Sequence, residues 1–369
     1  MRGYLTLGRM NAVCLLSEMG IALLFTLCLA FAAVAARHNR GRDLSLVWSA
    51  ALFAALFENL NVLQVRGRGS YSYNTQFHLF IAQVPLFVIL SWAVILWTAM
   101  QISDAAPLRT RDKIVCDAVL AVLLDLAFDA TAIRHGFWSW HGVGFNQAWF
   151  GVPAGNFFGW LYVALAFSLC SRTLDFLTRT GKLKANVRVF VQLFLVPLAA
   201  FAIYRGTETT NNALLTLLGW RAALSSTDKL ALIVFFAQFS ALMLWSLRQR
   251  NVLPNRDLPN CDRKGADLNE VKPVSLRSWL SKARLDKTIF GATAANIEYS
   301  ISNKSTDEVK LLFAHWCRVF FHVFAVAGLF ALPAAAPFLV QQKPALAAVA
   351  GFFWVLDWFY MRLLAKVRQ

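Results

Sequence analysis

The sequence predicts an all-α protein, a polytopic bundle of transmembrane helices with about eight to nine spans. Composition is the first reason: of the 369 residues, 58% are hydrophobic and 15% are charged, and the mean hydropathy is +0.52. A soluble domain is nearer half apolar and a quarter charged. The second reason is that the apolar residues fall into runs of about 20, the length at which a helix crosses a bilayer.

Nine apolar runs are candidate spans. They cover residues 11–36, 45–65, 77–100, 114–133, 156–177, 187–204, 229–247, 311–332 and 345–364. The sixth run is short, and prolines border the last two. We divide the chain into a transmembrane catalytic bundle at 1–247, a basic cytoplasmic loop at 248–310 and C-terminal transmembrane helices at 311–369.

The basic residues indicate how the chain is oriented. The net charge is +16, but these residues sit between hydrophobic runs, which favours cytoplasmic loops near anionic lipid over binding to nucleic acid. Lys and Arg are denser after the first, third and fifth runs, in 248–310 and at the C-terminus. We therefore predict a multi-pass protein of the cell membrane with its N-terminus outside and its C-terminus in the cytoplasm.

The basic loop at 248–310 has two interpretations. Its stretch "SLRSWLSKARLDKTIF" could form an amphipathic helix on the membrane surface, where it would contact anionic lipids. It could equally be a flexible loop.

Three carboxylates lie deep inside predicted spans, where an ionisable group is costly and is a functional hypothesis by default. Asp125 and Asp129 are four residues apart, so they share one helix face. Two carboxylates that close in a low dielectric cannot both ionise easily, and the pair is expected to hold a proton near neutral pH, as a general acid must. A helix–helix hydrogen bond or a salt bridge to Arg is the structural alternative.

Glu58 lies near Asn61 on one face of the second run, and the two are expected to face protein or water.

Four other acidic residues in the spans are expected to be structural: Glu18, Asp117, Asp175 and Asp357. We expect Glu18 to pair with a polar group on a neighbouring helix. The other three lie nearer the predicted ends of their spans, where they would reach water.

Several chemistries lack their motifs. The six histidines form no box of the kind that di-iron hydroxylases need, and the Gly-rich dinucleotide, P-loop and nucleophile-elbow patterns do not occur. Intramembrane prenyltransferases use two Asp-rich motifs, and the chain has one. We therefore predict no metal and no cofactor.

Three stretches together resemble one family, the membrane carotenoid hydratases of the CruF type among the carotenoid biosynthesis proteins. They are "FENLNVLQVRGRGSYSYN" leading into "QVPLFVILSW", then "LLDLAFDATAIRHGFWSW", then "WFGVPAGNFFGW". The likeness is good over residues 50–165. Relatives usually carry Asp-Pro where this chain has Asp129-Ala130, and often Tyr-Tyr in place of Trp149-Phe150.

The resemblance implies an enzyme that adds water across the terminal double bond of an acyclic carotenoid end group, giving a tertiary alcohol. Asp129 or Asp125 would protonate the alkene, and aromatic faces would stabilise the carbocation. Water would be placed by Glu58, Asn61 or Asn156. The rings and other substrate contacts would come from Tyr73, Trp138, Trp140, Trp149, Phe150, Pro153 and Trp160.

The glycines and proline between Gly151 and Gly159 favour a re-entrant or broken segment that lines a cavity, with Asn156 at the start of the fifth span. Two other functions stay open. One is another membrane isoprenoid enzyme, for example prenyltransferase-like, and the other is a transporter or scaffold for a hydrophobic solute.

Overall fold

The computed structural model describes residues 2–39, 41–64, 70–217, 228–252, 306–331 and 337–365. Its helices are α1 (Arg2–Asn39), α2 (Arg42–Gln64), α3 (Leu86–Ala105), α4 (Thr110–Ala132), α5 (Ala154–Arg179), α6 (Ala185–Phe190), α7 (Val196–Leu217), α8 (Asp228–Val252), α9 (Thr306–Ala331) and α10 (Pro337–Ala365). Short strands lie between them: β1 (Tyr71–Tyr73), β2 (Phe80–Ile81), β3 (Val84–Pro85) and β4 (Trp138–Trp140).

The described part of the chain is a polytopic helical bundle, as predicted. Eight of its helical segments are long and apolar enough to cross a membrane. One of these joins α6 to α7 through a single π-helical turn at Val191–Leu195. The predicted interfacial helix, residues 275–290, lies wholly outside the described residues.

Helix α4 corresponds to the fourth predicted span, the one that is not among these eight, and it occupies the centre of the bundle. Its carboxylates keep it out of the hydropathy count, yet it is 23 residues long and every residue from Val115 to Ala132 is buried. It packs against α3, α5, α8, α9 and α10. Because neighbouring helices enclose it, its acidic side chains face protein instead of lipid, the arrangement expected for ionisable groups within a membrane.

Two helix starts differ from the sequence prediction. The third span was expected from residue 77, but α3 begins at Leu86, after the β2–β3 hairpin and Pro85. The predicted re-entrant segment ends at Pro153, and Gly155 and Gly159 lie inside the regular helix α5. Pro153 is the residue before the helix, with extended backbone at φ −68° and ψ 147°, and the pyrrolidine ring fixes φ near this value.

The acidic residues expected to reach water are instead buried in ion pairs. Asp117 on α4 pairs with Arg172 on α5 at 2.8 Å, and Asp175 pairs with Arg188 at 2.7 Å. Asp357 on α10 is fully buried against Arg318. The expectation was wrong because the cations that compensate these carboxylates come from distant parts of the sequence.

Glu18 also differs from its expectation. Its partners lie in the loop before α3 and not on a neighbouring helix. It accepts hydrogen bonds from the backbone N–H of His78 at 2.9 Å and of Leu79 at 3.2 Å. The ring Nδ1 of His78 lies 2.7 Å from its second oxygen.

Candidate active site

Most of the predicted site residues line a small cavity near one end of the central helices. Its volume is about 60 Å³, room for about two waters at the ~30 Å³ that a water occupies in the liquid. It is lined by Glu58, Tyr71, Tyr73, Val88, Trp92, Asp129, Trp138, Trp140, Asn156 and Trp160. The lining comes from α2, β1, α3, α4, β4 and α5.

Glu58 is held by three donors. Its Oε2 accepts hydrogen bonds from the hydroxyls of Tyr71 at 2.5 Å and Tyr73 at 2.8 Å. Its Oε1 accepts a hydrogen bond from the indole N–H of Trp92 at 2.7 Å. Three hydrogen bonds from two elements, β1 and α3, fix the orientation of the carboxylate. Burial, and then the charge of Glu58, raise the pKa of both tyrosine hydroxyls well above 10, so the tyrosines remain donors.

Asp125 and Asp129 share one amide. Nδ2 of Asn156 lies 2.6 Å from Oδ2 of Asp129 and 3.1 Å from Oδ2 of Asp125. Both carboxylates are buried, at 0% and 2% exposure. Within the described residues neither carboxylate has a basic partner, so the salt-bridge alternative fails for this pair and a hydrogen bond between α4 and α5 replaces it.

Asp129 faces the cavity and Asp125 does not. Asp125 lies one turn further into the bundle and reaches the cavity only through Asn156. The geometry therefore separates two residues that the sequence pattern treats alike.

A two-stranded sheet builds the aromatic wall. Strands β1 and β4 pair antiparallel, with Tyr71 opposite Trp140 and Tyr73 opposite Trp138. Successive side chains of a strand point to opposite faces, so the Tyr-Ser-Tyr and Trp-Ser-Trp triplets put four rings on the cavity side. The serines take the other face, where Ser72 lies 3.3 Å from Ser139.

Two further tryptophans complete the wall. The rings of Trp92 on α3 and Trp160 on α5 have centroids 4.0 Å apart. The cavity therefore has carboxylates and an amide among indole and phenol rings, with Val88 as the aliphatic residue.

Two glycines with positive φ lie on either side of β4. Gly136 ends the turn after α4 with φ 69°, and Gly151, in the loop from β4 to α5, has φ 90°. A Cβ on Gly151 would stand 3.0 Å from Cδ1 of Ile133 and 3.1 Å from Cα of Phe145, so glycine is required there. Arg134 donates to the carbonyl of Phe150 at 2.8 Å and ties this loop to the end of α4.

Besides Asp125, four predicted site residues lie outside the cavity. Asn61 donates to the hydroxyl of Tyr204 on α7 at 3.1 Å. The indole of Trp149 packs against Phe236 and Phe353. The remaining two, Phe150 and Pro153, belong to the loop before α5.

Tyr71 and Trp92 line the cavity but were not predicted as site residues. Both fall within the stretches that carry the family resemblance. The signal that could have identified Tyr71 is the alternation of aromatic and serine residues, which occurs in both 71–73 and 138–140. Trp92 sits in an apolar run like any core tryptophan, and nothing local distinguishes it.

Comparison with known proteins agrees with the predicted family. A search of curated proteins and a search of solved structures each found no match. A sequence model of a family described as carotenoid biosynthesis protein matches residues 18–223, which is more than half of the chain and includes every residue that lines the cavity. The protein therefore belongs to the carotenoid biosynthesis protein family and has a role in that pathway.

Proposed function

We propose that the protein is a carotenoid hydratase, a hydro-lyase that adds water across the terminal double bond of an acyclic carotenoid end group. One observation carries the proposal: Asp129 and Glu58 line the same small cavity, and four tryptophans make up half of its other lining residues. An acid, a base and cation-stabilising rings are what hydration of an unactivated alkene needs.

Asp129 is the acid in this scheme. Its proton adds to the less substituted carbon of the double bond, whose π electrons form the new C–H bond and leave a tertiary carbocation. The faces of Trp138, Trp140 and Trp160 stabilise that cation, an effect worth about 2 kcal/mol or more for a desolvated ring.

Glu58 is the base. A water in the cavity attacks the cation through its oxygen and passes a proton to the carboxylate of Glu58. A proton transfer from Glu58 to Asp129 across the same cavity then restores the starting state. Glu58 suits this role because Tyr71, Tyr73 and Trp92 hold its carboxylate in place.

Asp125 and Asn156 are positioning residues. Asn156 holds the two aspartates together, and the charge of one opposes ionisation of the other. No step of the scheme uses a metal or a redox cofactor. That the protein needs no metal and no cofactor stays a prediction.

The size of the cavity limits what enters it. A volume of about 60 Å³ is too small for a carotenoid, so the polyene would lie outside the cavity along apolar helix surfaces. The lining side chains would have to shift to admit the end group together with a water. The eight apolar segments suit such a hydrophobic substrate.

Co-expression with enzymes that make acyclic carotenoids tests the proposal. We expect pigments that have gained the mass of one water when the wild-type chain is present. The matched control is Asp129→Asn, which should accumulate in the membrane and leave the pigment unchanged. Membrane-inserted wild-type protein that leaves several acyclic carotenoids unchanged would refute the proposal, and would favour another isoprenoid enzyme or a transporter.

A further inference from the structure

A second cavity lies at the opposite end of the same helices. Its volume is about 510 Å³, within the range of about 300–1,000 Å³ that is typical of ligand sites. It is lined by Arg42, Asp104, Leu108, Thr110, Lys113, Arg172, Asp175, Thr178, Arg179 and Arg188. The hydration scheme uses none of these residues.

The lining is positively charged. Five of its side chains are basic and two are carboxylates, a net of three positive charges. Two of the arginines are buried, with side-chain exposures of 4% for Arg172 and 6% for Arg188. Buried cations are costly unless a counter-charge compensates them. Behind the lining, Asp117 pairs with Arg172 and Asp43 pairs with Arg42 and Lys310. With these groups included, six cations face four carboxylates, and the balance is still positive.

The carboxylates position the cations without using all their donors. Asp104 accepts from Arg42, Lys113 and Arg172 at 2.8–3.2 Å. Arg188 donates through Nε and Nη2 to Asp175 and through Nη1 to Ser45. A guanidinium has five N–H groups, so two of those on Arg188 have no partner among the residues that the structure describes. Among the same residues Arg179 makes a single bond, from Nε to the carbonyl of Asp175.

The cavity sits where the helices end. Arg42 and Thr110 are the first residues of α2 and α4, and Arg179 is the last residue of α5. Lys113 and Asp129 lie about 24 Å apart along α4 at about 1.5 Å per residue, close to the thickness of a bilayer's hydrocarbon core. If the carboxylate cavity is near one membrane surface, the basic cavity is at the headgroup level of the other.

We propose that this basic cavity is a binding site for a phosphate-bearing anion, either the headgroup of an anionic phospholipid or free phosphate. Arginine forks match phosphate oxygens with paired hydrogen bonds. An anion would accept the remaining N–H groups of Arg172, Arg179 and Arg188 and balance the net charge of the lining. The positive-inside pattern puts this end of the bundle on the cytoplasmic side, where anionic lipids attract basic groups.

Thermal unfolding of the full chain tests the proposal in two arms. Nanodiscs of phosphatidylglycerol are compared with nanodiscs of phosphatidylcholine, and inorganic phosphate is titrated against protein in detergent. We expect a higher Tm in phosphatidylglycerol. A saturable rise with inorganic phosphate would show that the free anion also enters, and a rise with phosphatidylglycerol alone would assign the site to the lipid headgroup.

Matched variants separate the cavity from general surface charge. The double variant Lys113→Gln with Arg179→Gln should weaken the anion effect at least tenfold. The control pair Arg109→Gln with Lys182→Gln removes two exposed charges from the same end of the bundle and should behave as wild type. Thr178→Glu keeps every ion pair, places a carboxylate in the cavity and should abolish the effect.

Two results would overturn the proposal. One is a wild-type Tm that neither phosphatidylglycerol nor phosphate raises. The other is a control pair that loses as much of the effect as the cavity pair, because the effect would then come from diffuse surface charge.

Discussion

The side-chain amide of Asn156 on α5 lies 2.6 Å from a carboxylate oxygen of Asp129 on α4. The same amide reaches Asp125 at 3.1 Å. A single neutral donor therefore serves two buried carboxylates. This contact links the acid of the proposed reaction to the helix that carries Trp160, one of the six rings that line the cavity.

Replacing Asn156 by alanine should lower the rate of hydration at least tenfold while the protein still folds. The two carboxylates lose the donor that orients them, and a misplaced acid costs rate. Asn59→Ala is the matched control, because it deletes the same amide from the end of α2, where the side chain bonds to Ala55 and Gln83. Equal losses in both variants, measured as pigment turnover in membranes, would contradict the role of Asn156.

Asp129→Asn should lower the rate far more than Asp125→Asn. A general acid contributes about a hundred- to ten-thousand-fold, and only Asp129 lines the cavity. Asp125→Asn keeps the acid in place and removes its charged neighbour, so we expect a loss of about tenfold. If Asp129→Asn stays active while Asp125→Asn is dead, the assignment of the acid is wrong.

Trp138→Leu should slow hydration about thirtyfold, since about 2 kcal/mol of cation stabilisation corresponds to that factor. Trp149→Leu is the comparison, because its ring lies outside the cavity against Phe236 and Phe353. We expect Trp149→Leu to lower Tm and to leave the rate per folded molecule within about twofold. The same rate loss in both variants would mean that the rings act through packing alone.

The hydroxyls of Tyr71 and Tyr73 should stabilise the fold up to about pH 10 and lose that effect above it. Both tyrosines have a pKa raised well above 10 in the folded protein. When the pKa of a group is higher in the folded than in the unfolded protein, its stabilising effect is complete at pH values below the pKa of the unfolded state. The effect is lost as the pH rises towards the pKa of the folded state. The Tm difference between wild type and the Tyr71→Phe, Tyr73→Phe double variant should be constant from pH 7 to about 10 and shrink beyond. A difference that grows with alkaline pH would contradict the assignment.

Arg318→Met should destabilise the protein by about 3–5 kcal/mol, because it removes the permanently charged partner of the buried Asp357 and leaves it with His322, 3.0 Å away. Arg318 and Asp357 are both fully buried, 2.6 Å apart, and Arg318 also donates to the carbonyl of Leu120 on α4. Adding Asp357→Leu should recover part of the loss. Unfolding free energies in mixed micelles measure this, and a double variant as unstable as the sum of the singles would rule out the pair as the cause.

Much of the fold followed from hydropathy, and part of the site followed from helical spacing. The spacing of Asp125 and Asp129 placed both on one face of α4, as the structure has them. The predicted shared helix face did not bring Asn61 to the cavity beside Glu58. A step of three residues turns the side chain of Asn61 far enough from Glu58 to contact Tyr204 on α7. The local sequence could not show which of the two aspartates reaches the cavity.

What could not be predicted depends on contacts between distant residues. Strands β1 and β4 are triplets, too short for a periodic signal, and more than 60 positions separate them. The cations that neutralise Asp117 and Asp357 likewise come from other helices, Arg172 on α5 and Arg318 on α9. The positions of these carboxylates near the ends of predicted spans wrongly indicated that they would reach water.

Isotope incorporation tests the central claim most directly. Purified protein in lipid is supplied with an acyclic carotenoid in water enriched in heavy oxygen, and the product is analysed by mass spectrometry. We predict a tertiary alcohol whose oxygen carries the label, formed by wild type and not by Asp129→Asn. Folded wild-type protein that yields no labelled alcohol from several acyclic carotenoids would contradict the account.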